Sequence, residues 1–259
     1  MLTTRPMRLA ATLAAVALTA AACGGDDATV AEGDLELITA GTLTICTDAP
    51  YAPFEFEDPD APSGFSGFDI DLVQAMADAR DLDLAVVVTG FDAIQGGTAL
   101  AAGTCDMAAS AMTITEEREG NLDFLDPYFD ADQSLLSTGD GPQALADVTA
   151  LGVQADTTGA EYASENFDGE ITEFPDAAAL STALQAGNIE AILQDLPVNA
   201  EIGQNNDAYT IVETFPTGEQ YGFAVAEGAT ELRDAFNETL SDLRDDGTYD
   251  EIFAEYFEA

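Results

Sequence analysis

"ALAAGTCDMAASA" (99–111) and "ALQAGNIEAILQD" (183–195) decide how this chain folds. Each begins as a helical apolar pattern, stops at a glycine (Gly103 or Gly187) and continues as a strand. Glycine suits a helix end because it takes the left-handed conformation without strain. The two share Ala, Leu, Ala and Gly at a spacing of 84 residues. Four matches are a weak sign of duplication and a better one of two α/β lobes wired alike. Working outward, "GTLTICTD" (41–48) reads as a strand and "APYAPFEFEDPDAPSG" (49–64) as a Pro- and Gly-rich loop. "FDIDLVQAMADARDLD" (68–83) reads as a helix with Leu72, Val73, Met76 and Ala77 on one face. "LAVVVTG" (84–90) reads as a buried strand, "FDAIQGGTALAAG" (91–103) as one short helix and "CDMAASAMT" (105–113) as a third strand. Strands alternating with helices imply a parallel α/β sheet. Such sheets bind ligands beyond the carboxyl ends of their strands. Two facing lobes would therefore place residues 110–113 and Gln194–Asp195 across one cleft. The tail (229–257) reads as an amphipathic helix with Leu232, Phe236, Leu240 and Leu243 inward, a turn at Gly247 and a second helix.

The chain has 259 residues, 47% of them apolar, enough for one large domain or two modest ones. Its 6 Lys+Arg, all of them arginine, face 50 Asp+Glu, and there is no histidine. Nucleic acid is excluded as a partner, because phosphate binding needs basic surface. Acids spread along the whole chain suggest a solvated surface suited to high salt. The protein should then melt at a higher temperature in molar salt than in dilute buffer. The absence of histidine rules out a His-assisted Ser or Cys mechanism, and the absence of lysine rules out a pyridoxal Schiff base. "DPDAPSGFSGFDID" (58–71) lacks the spacing of a calcium loop, and no metal cluster or cofactor motif is present.

Arg5 and Arg8 precede an apolar run of 14 residues (9–22), too short to span a bilayer that needs about 20. Residues 1–22 are expected to be an export signal. The run ends in "LTAAAC" and resembles a bacterial lipobox, which implies a lipid on Cys23, although Ala20 stands where leucine is usual. Ordinary cleavage and a free secreted product is the alternative. Residues 23–40 would be a tether, and without residues 1–22 the chain keeps 4 arginines against 50 acids, a net of −46. Cys46 and Cys105 remain as one possible disulfide in an oxidising compartment, or as two small buried thiols.

Seven stretches then occur in a telling order: "TDAPYAPFEFE" (47–57), "GFSGFDIDLVQAMA" (64–77), "ASAMTITEERE" (109–119), "LDFLDPYF" (122–129), "LGVQADTTGA" (151–160), "ALQAGNIEAILQD" (183–195) and "LRDDGTYDEIFAEYF" (243–257). From about residue 41 to 257 the chain resembles extracytoplasmic solute-binding proteins of family 3, the receptors of polar amino-acid ABC importers. The resemblance implies an α/β, two-lobed periplasmic-binding-protein-like type II fold, with the ligand cleft between lobes joined by two hinge segments. The crossings should lie near "FDADQS" (129–134) and "ETFPTGEQ" (213–220). Lobe 1 would comprise 41–132 and 217–259, and lobe 2 would comprise 133–216.

A zwitterionic amino acid requires a cation and amide donors for its carboxylate and an acid for its ammonium. Arg233 and Arg244 lie on the tail helix, and Arg80 ends a helix where a cation suits the dipole. Arg118 alone follows a strand's carboxyl end, and a guanidinium grips a carboxylate bidentately. The resemblance implies the same residue, with Thr113 as a companion donor and the Ala111 carbonyl for the ammonium. It also implies Asp195 as the acid for the ammonium, Thr158 as a second carboxylate contact, and Tyr51 and Phe91 as aromatic walls. Asp48 matches a position that meets basic side chains in some relatives. Asp156 stands where the family usually has glycine, which puts the backbone approach there in question. With no chemistry of its own, such a receptor would be a monomer outside the cytoplasm, presenting its ligand to an ABC permease. A solute sensor and a dehydratase-like enzyme on the same scaffold are the alternatives.

Overall fold

Two mixed sheets carry the fold. The computed structural model describes residues 35–258, so Cys23 and the expected signal segment lie outside the described residues. The chain runs through β1 (Thr42–Thr47), β2 (Phe56–Glu57), β3 (Phe65–Ser66), α1 (Phe68–Asp78), β4 (Asp83–Val88), α2 (Phe91–Gln95), α3 (Thr98–Ala101), β5 (Met107–Ala108), α4 (Glu116–Glu119) and β6 (Leu122–Phe124). It continues through β7 (Phe129–Thr138), β8 (Ala150–Gln154), α5 (Thr158–Asn166), β9 (Glu170–Phe174), α6 (Ala177–Gln185), β10 (Ala191–Asp195) and α7 (Leu196–Asn205). It ends with β11 (Tyr209–Tyr221), β12 (Ala224–Ala226), α8 (Thr230–Asp246) and α9 (Thr248–Phe257).

The first sheet has the order β4-β1-β5-β12-β6 and the second the order β11-β7-β10-β8-β9. β1 is parallel to β4 and β5, and β8 is parallel to β9 and β10, as βαβ wiring requires. The period of two sorts the side chains of each strand. On β1, Leu43 and Ile45 face one apolar cluster and Cys46 the other. On β10, Ala191 and Leu193 face one and Ile192 the other. β7 and β11 are antiparallel partners, with a register shift in β11 between Phe215 and Glu219. They occupy both segments expected to cross between lobes. β12, which follows β11, lies between β5 and β6, so the first sheet is built from residues on both sides of the crossings.

Three local expectations are corrected. β4 is half-exposed rather than buried, because it is an edge strand that pairs only with β1. Residues 91–103 form two helices, divided at Gly96–Gly97, where Gly97 has φ 73°. β5 is two residues long, and the chain then runs out of the sheet to a left-handed residue, Ala111, with φ 42°.

α1 starts at Gly67, whose φ is 125° and where a Cβ would come within 2.2 Å of the Phe54 carbonyl oxygen. That close approach brings Phe54 and Phe68 together. Both are fully buried, and Phe129, Phe253 and Phe257 surround Phe68 at centroid distances of 5.2–5.9 Å. Edge-on aromatic contacts of this kind add to the area they bury. Arg80 does more than face a dipole: its Nε donates to Thr239 Oγ1 at 2.6 Å and its guanidinium stacks on Phe236, tying α1 to α8. Arg244 donates to the Pro127 carbonyl and stacks on Tyr249, and Arg233 pairs with Asp234 at the surface.

Cys46 and Cys105 form a disulfide with Cα atoms 5.6 Å apart, tying β1 to the turn before β5. Thiol titration of the unreduced, unfolded protein should register neither cysteine. Two reactive thiols beyond Cys23 would contradict the bridge.

Candidate ligand-binding site

The carboxyl ends of β1, β5, β8 and β10 converge on one cleft. It is lined by Asp48, Tyr51, Phe91, Ser110, Ala111, Thr113, Arg118, Gln154, Thr157, Thr158 and Asp195. All eight residues singled out as ligand-binding from sequence are among them. The lining encloses about 340 Å³ of non-atom space, mouth included.

Arg118 enters from α4, a single turn. Its own backbone N–H is capped by Thr115 Oγ1 at 3.2 Å. The flanking Glu117 and Glu119 are exposed while Arg118 is buried, so the turn sends the cation inward and the acids outward. Nη1 donates to the Thr113 carbonyl at 2.7 Å and Nη2 to the Asp156 carbonyl at 3.1 Å, and the guanidinium lies 5.2 Å from the Phe91 ring centroid. Main chain and an aromatic face aim it, and the neighbouring glutamates do not. Burial lowers its pKa, opposed by the attraction of Asp195 and Glu219.

Asp156 resolves the departure from the family pattern. It takes φ 62°, the left-handed conformation glycine would supply, with its side chain exposed. Aspartate tolerates that region better than most residues. The turn therefore still presents its carbonyl to Arg118 and leads into α5. Thr157 caps α5 by accepting from the Ala160 N–H at 3.1 Å, and Thr158 opens the helix at the cleft. A helix N-terminus facing a buried guanidinium makes an anion-favouring corner.

The opposite end is acidic. Asp195 ends β10 and accepts from the Tyr51 hydroxyl at 2.7 Å and from Gln133 Nε2. The Tyr221 hydroxyl adjoins the same carboxylate but is buried without a hydrogen-bond partner of normal geometry. Burial raises the Asp195 pKa to about 6, with repulsion from Glu219 adding and the neighbouring Tyr221, Tyr51 and Gln133 donors subtracting. Asp48 accepts from Gln154 Nε2 at 2.7 Å and is likewise raised by burial to about 6.

Ser110, expected at the cleft with residues 111–113, lines it, and sequence reasoning missed four residues here. Gln154 ends β8 and was open to the same strand-end rule; Thr157 precedes the helix that Thr158 opens. Gln133 and Glu219 lie on the crossing strands. Glu219 Oε2 accepts from Thr113 Oγ1 at 2.8 Å and Thr158 Oγ1 at 2.6 Å. Gln194 goes the other way: its amide donates to Asn199 beneath the sheet, and it does not line the cleft. Among the described residues no acid, cysteine or histidine group is arranged to hold a metal ion.

A family model for bacterial extracellular solute-binding proteins, family 3, matches residues 43–259. The chain belongs to that family. Among its family 3 relatives, the chain is 30% identical to a probable histidine-binding protein of Neisseria gonorrhoeae, over 96% of this chain and 94% of that one. It is 30% identical to the lysine/arginine/ornithine-binding periplasmic protein of Escherichia coli K12, over 84% of this chain and 88% of that one. Among solved structures, an ancestral arginine-binding protein bound to glutamine superposes with a TM-score of 0.77 at 34% identity, covering 85% of this chain and all of that one (100%). The ancestral amino acid-binding protein AncCDT-1, a precursor of cyclohexadienyl dehydratase, gives 0.76 at 35%, covering 84% and 96%. The two-lobed fold of family 3 is therefore shared along nearly the whole described chain.

Proposed function

We propose that this family 3 protein is the substrate-binding component of an ABC importer and captures a polar amino acid, neutral or basic. The observation that carries this reading is the polarity of one cleft. Arg118 and the α5 N-terminus stand at one end, Asp195 at the other, with Tyr51 and Phe91 between. A zwitterion matches that arrangement end to end: carboxylate to Arg118, Thr113 and Thr158, ammonium to Asp195 and the Ala111 carbonyl. Asp48 and Glu219 add negative charge, which disfavours glutamate and aspartate as ligands. The names of the relatives, which span histidine, arginine, lysine and glutamine, support a polar amino acid. Lobe 1 is assigned to 41–132 and 217–259 and lobe 2 to 133–216, closing on the ligand without chemistry of their own. Lipidation at Cys23 would hold the monomer outside the cytoplasmic membrane beside the permease, and the acidic surface suits a saline milieu.

A thermal-shift screen against the twenty L-amino acids tests the reading, because bound ligand raises apparent stability once its concentration exceeds Kd. Neutral polar or basic amino acids should shift the melting temperature. A set of twenty flat traces would sink the assignment, and turnover of a bound compound would favour the enzyme reading that AncCDT-1 keeps in view.

A further inference from the structure

We propose that Asp69, outside the cleft, is the positioning residue for its floor, acting through Ala111. This rests on the amino-acid reading above. Asp69 is the second residue of α1 and has no exposed surface. Its Oδ2 accepts the Ala111 N–H at 2.8 Å and its Oδ1 accepts the Tyr128 hydroxyl at 2.6 Å.

Ala111 lies three residues beyond β5, where the chain reaches the cleft, and takes φ 42°. An alanine does not choose that conformation by itself, because its Cβ crowds the following carbonyl. Something must hold it, and the bond that does so ends on a carboxylate, the stronger kind of acceptor. The next residue back is held in the same way: Ser110 Oγ donates to Glu55 Oε1 at 2.9 Å and accepts the Asp48 N–H at 3.0 Å. Two consecutive residues of the cleft floor thus hang on two fully buried acids.

Those acids are expensive to bury, since neither has a cation beside it and a buried charge without one is costly. Burial raises the Asp69 pKa to about 7, against the hydrogen bonds of Tyr128 and Ala111, and burial also holds the Glu55 pKa well above its ordinary value, with Asp69 adding repulsion. Packing alone would be served as well by an apolar side chain. What an apolar side chain would not do is hold the Ala111 N–H, and so the peptide plane from which the strained φ of Ala111 carries the chain on to its own carbonyl.

The test is calorimetry with L-arginine, or with L-glutamine if arginine gives no heat. Asp69→Ala should weaken binding about tenfold or more, as expected for loss of a charged acceptor from a buried donor. Asp69→Asn keeps an acceptor for Ala111 N–H, and the Tyr128 hydroxyl can turn to accept from the amide. It should stay within about threefold of the unaltered protein, about half of the tenfold step in free energy. Tyr128→Phe should lower the melting temperature yet leave affinity in place, separating a loss of fold stability from a loss of positioning. Adding Ala111→Gly to Asp69→Ala should recover at least part of the affinity, because glycine takes positive φ freely. Asp69→Ser, too short to reach Ala111, stands in if the alanine variant does not fold. Undiminished binding by a folded Asp69→Ala or Asp69→Ser, or no recovery with Ala111→Gly, overturns the assignment alone. So does failure of both to fold, which would make Asp69 a residue of the fold only. No heat with the unaltered protein would take down the amino-acid reading and this assignment together.

Discussion

Arg118→Ala should weaken amino-acid binding by about 2–5 kcal/mol, at least thirty-fold, the range for truncating one partner of a buried charge pair. The size follows from what the guanidinium does at once. It offers the bidentate fork a carboxylate needs, it is already desolvated, and its orientation is fixed by the Thr113 and Asp156 carbonyls and the Phe91 face. Little ordering remains to be done when ligand arrives. The Asp156 carbonyl comes from the turn after β8 of the second sheet, so the alanine variant loses a tie between the two sheets as well as a ligand contact. Arg118→Lys should fall between the two proteins, since an ammonium restores the charge but not the planar fork. Calorimetry decides, and a change under threefold for the alanine variant would remove Arg118 from the site.

The second large effect is of pH. Asp195 has a pKa of about 6 in the fold, above its ordinary value of 3.8, so the ligand-free fold prefers it protonated. That preference stabilises the protein at low pH and is lost as pH rises through about 6. A ligand ammonium reverses the balance, because it pairs only with the ionised acid. Affinity should therefore be flat above neutrality and fall roughly tenfold per pH unit below 6, one proton being taken up as ligand leaves. Asp48 has the same raised pKa and faces the same cleft. A ligand with a cationic side chain on Asp48 would steepen the fall toward a hundredfold per unit, since two protons are then linked. The slope thus separates basic from neutral ligands without a structure of the complex. In Asp195→Asn, binding should be weaker by about 2–5 kcal/mol at pH 7.5, with the Asp195 part of the slope gone. A profile unchanged by that substitution would place the ammonium elsewhere.

Much of this was legible in the sequence because it depends on local pattern. Glycines at 103 and 187, strand ends at Asp48, Ala111 and Asp195, and a lone cation after a strand end are short-range signals. The partners that set the site's chemistry are not. Gln133 reaches Asp195 because β7 and β10 pair them directly, and Glu219 reaches Thr113 and Thr158 because β11 shifts register just before it. Both residues sat in segments read only as crossings, since strand register between distant segments leaves no mark in composition. The broken α2–α3 helix and the exposed β4 failed for a similar reason: what neighbours a strand decides its burial, and β4 has one neighbour.

The place of β12 has a consequence for how the chain assembles. Every strand of the second sheet lies between residues 129 and 221, so that sheet is complete before β12 exists. The first sheet must wait. β5 and β6 have no common partner until residues 224–226 slot between them, and α8 and α9 then close over α1. In a chain emerging N-terminus first, the half that is begun first is therefore the half finished last, and its unpaired strand edges stay open to chaperones, proteases and other chains until nearly the whole sequence is available.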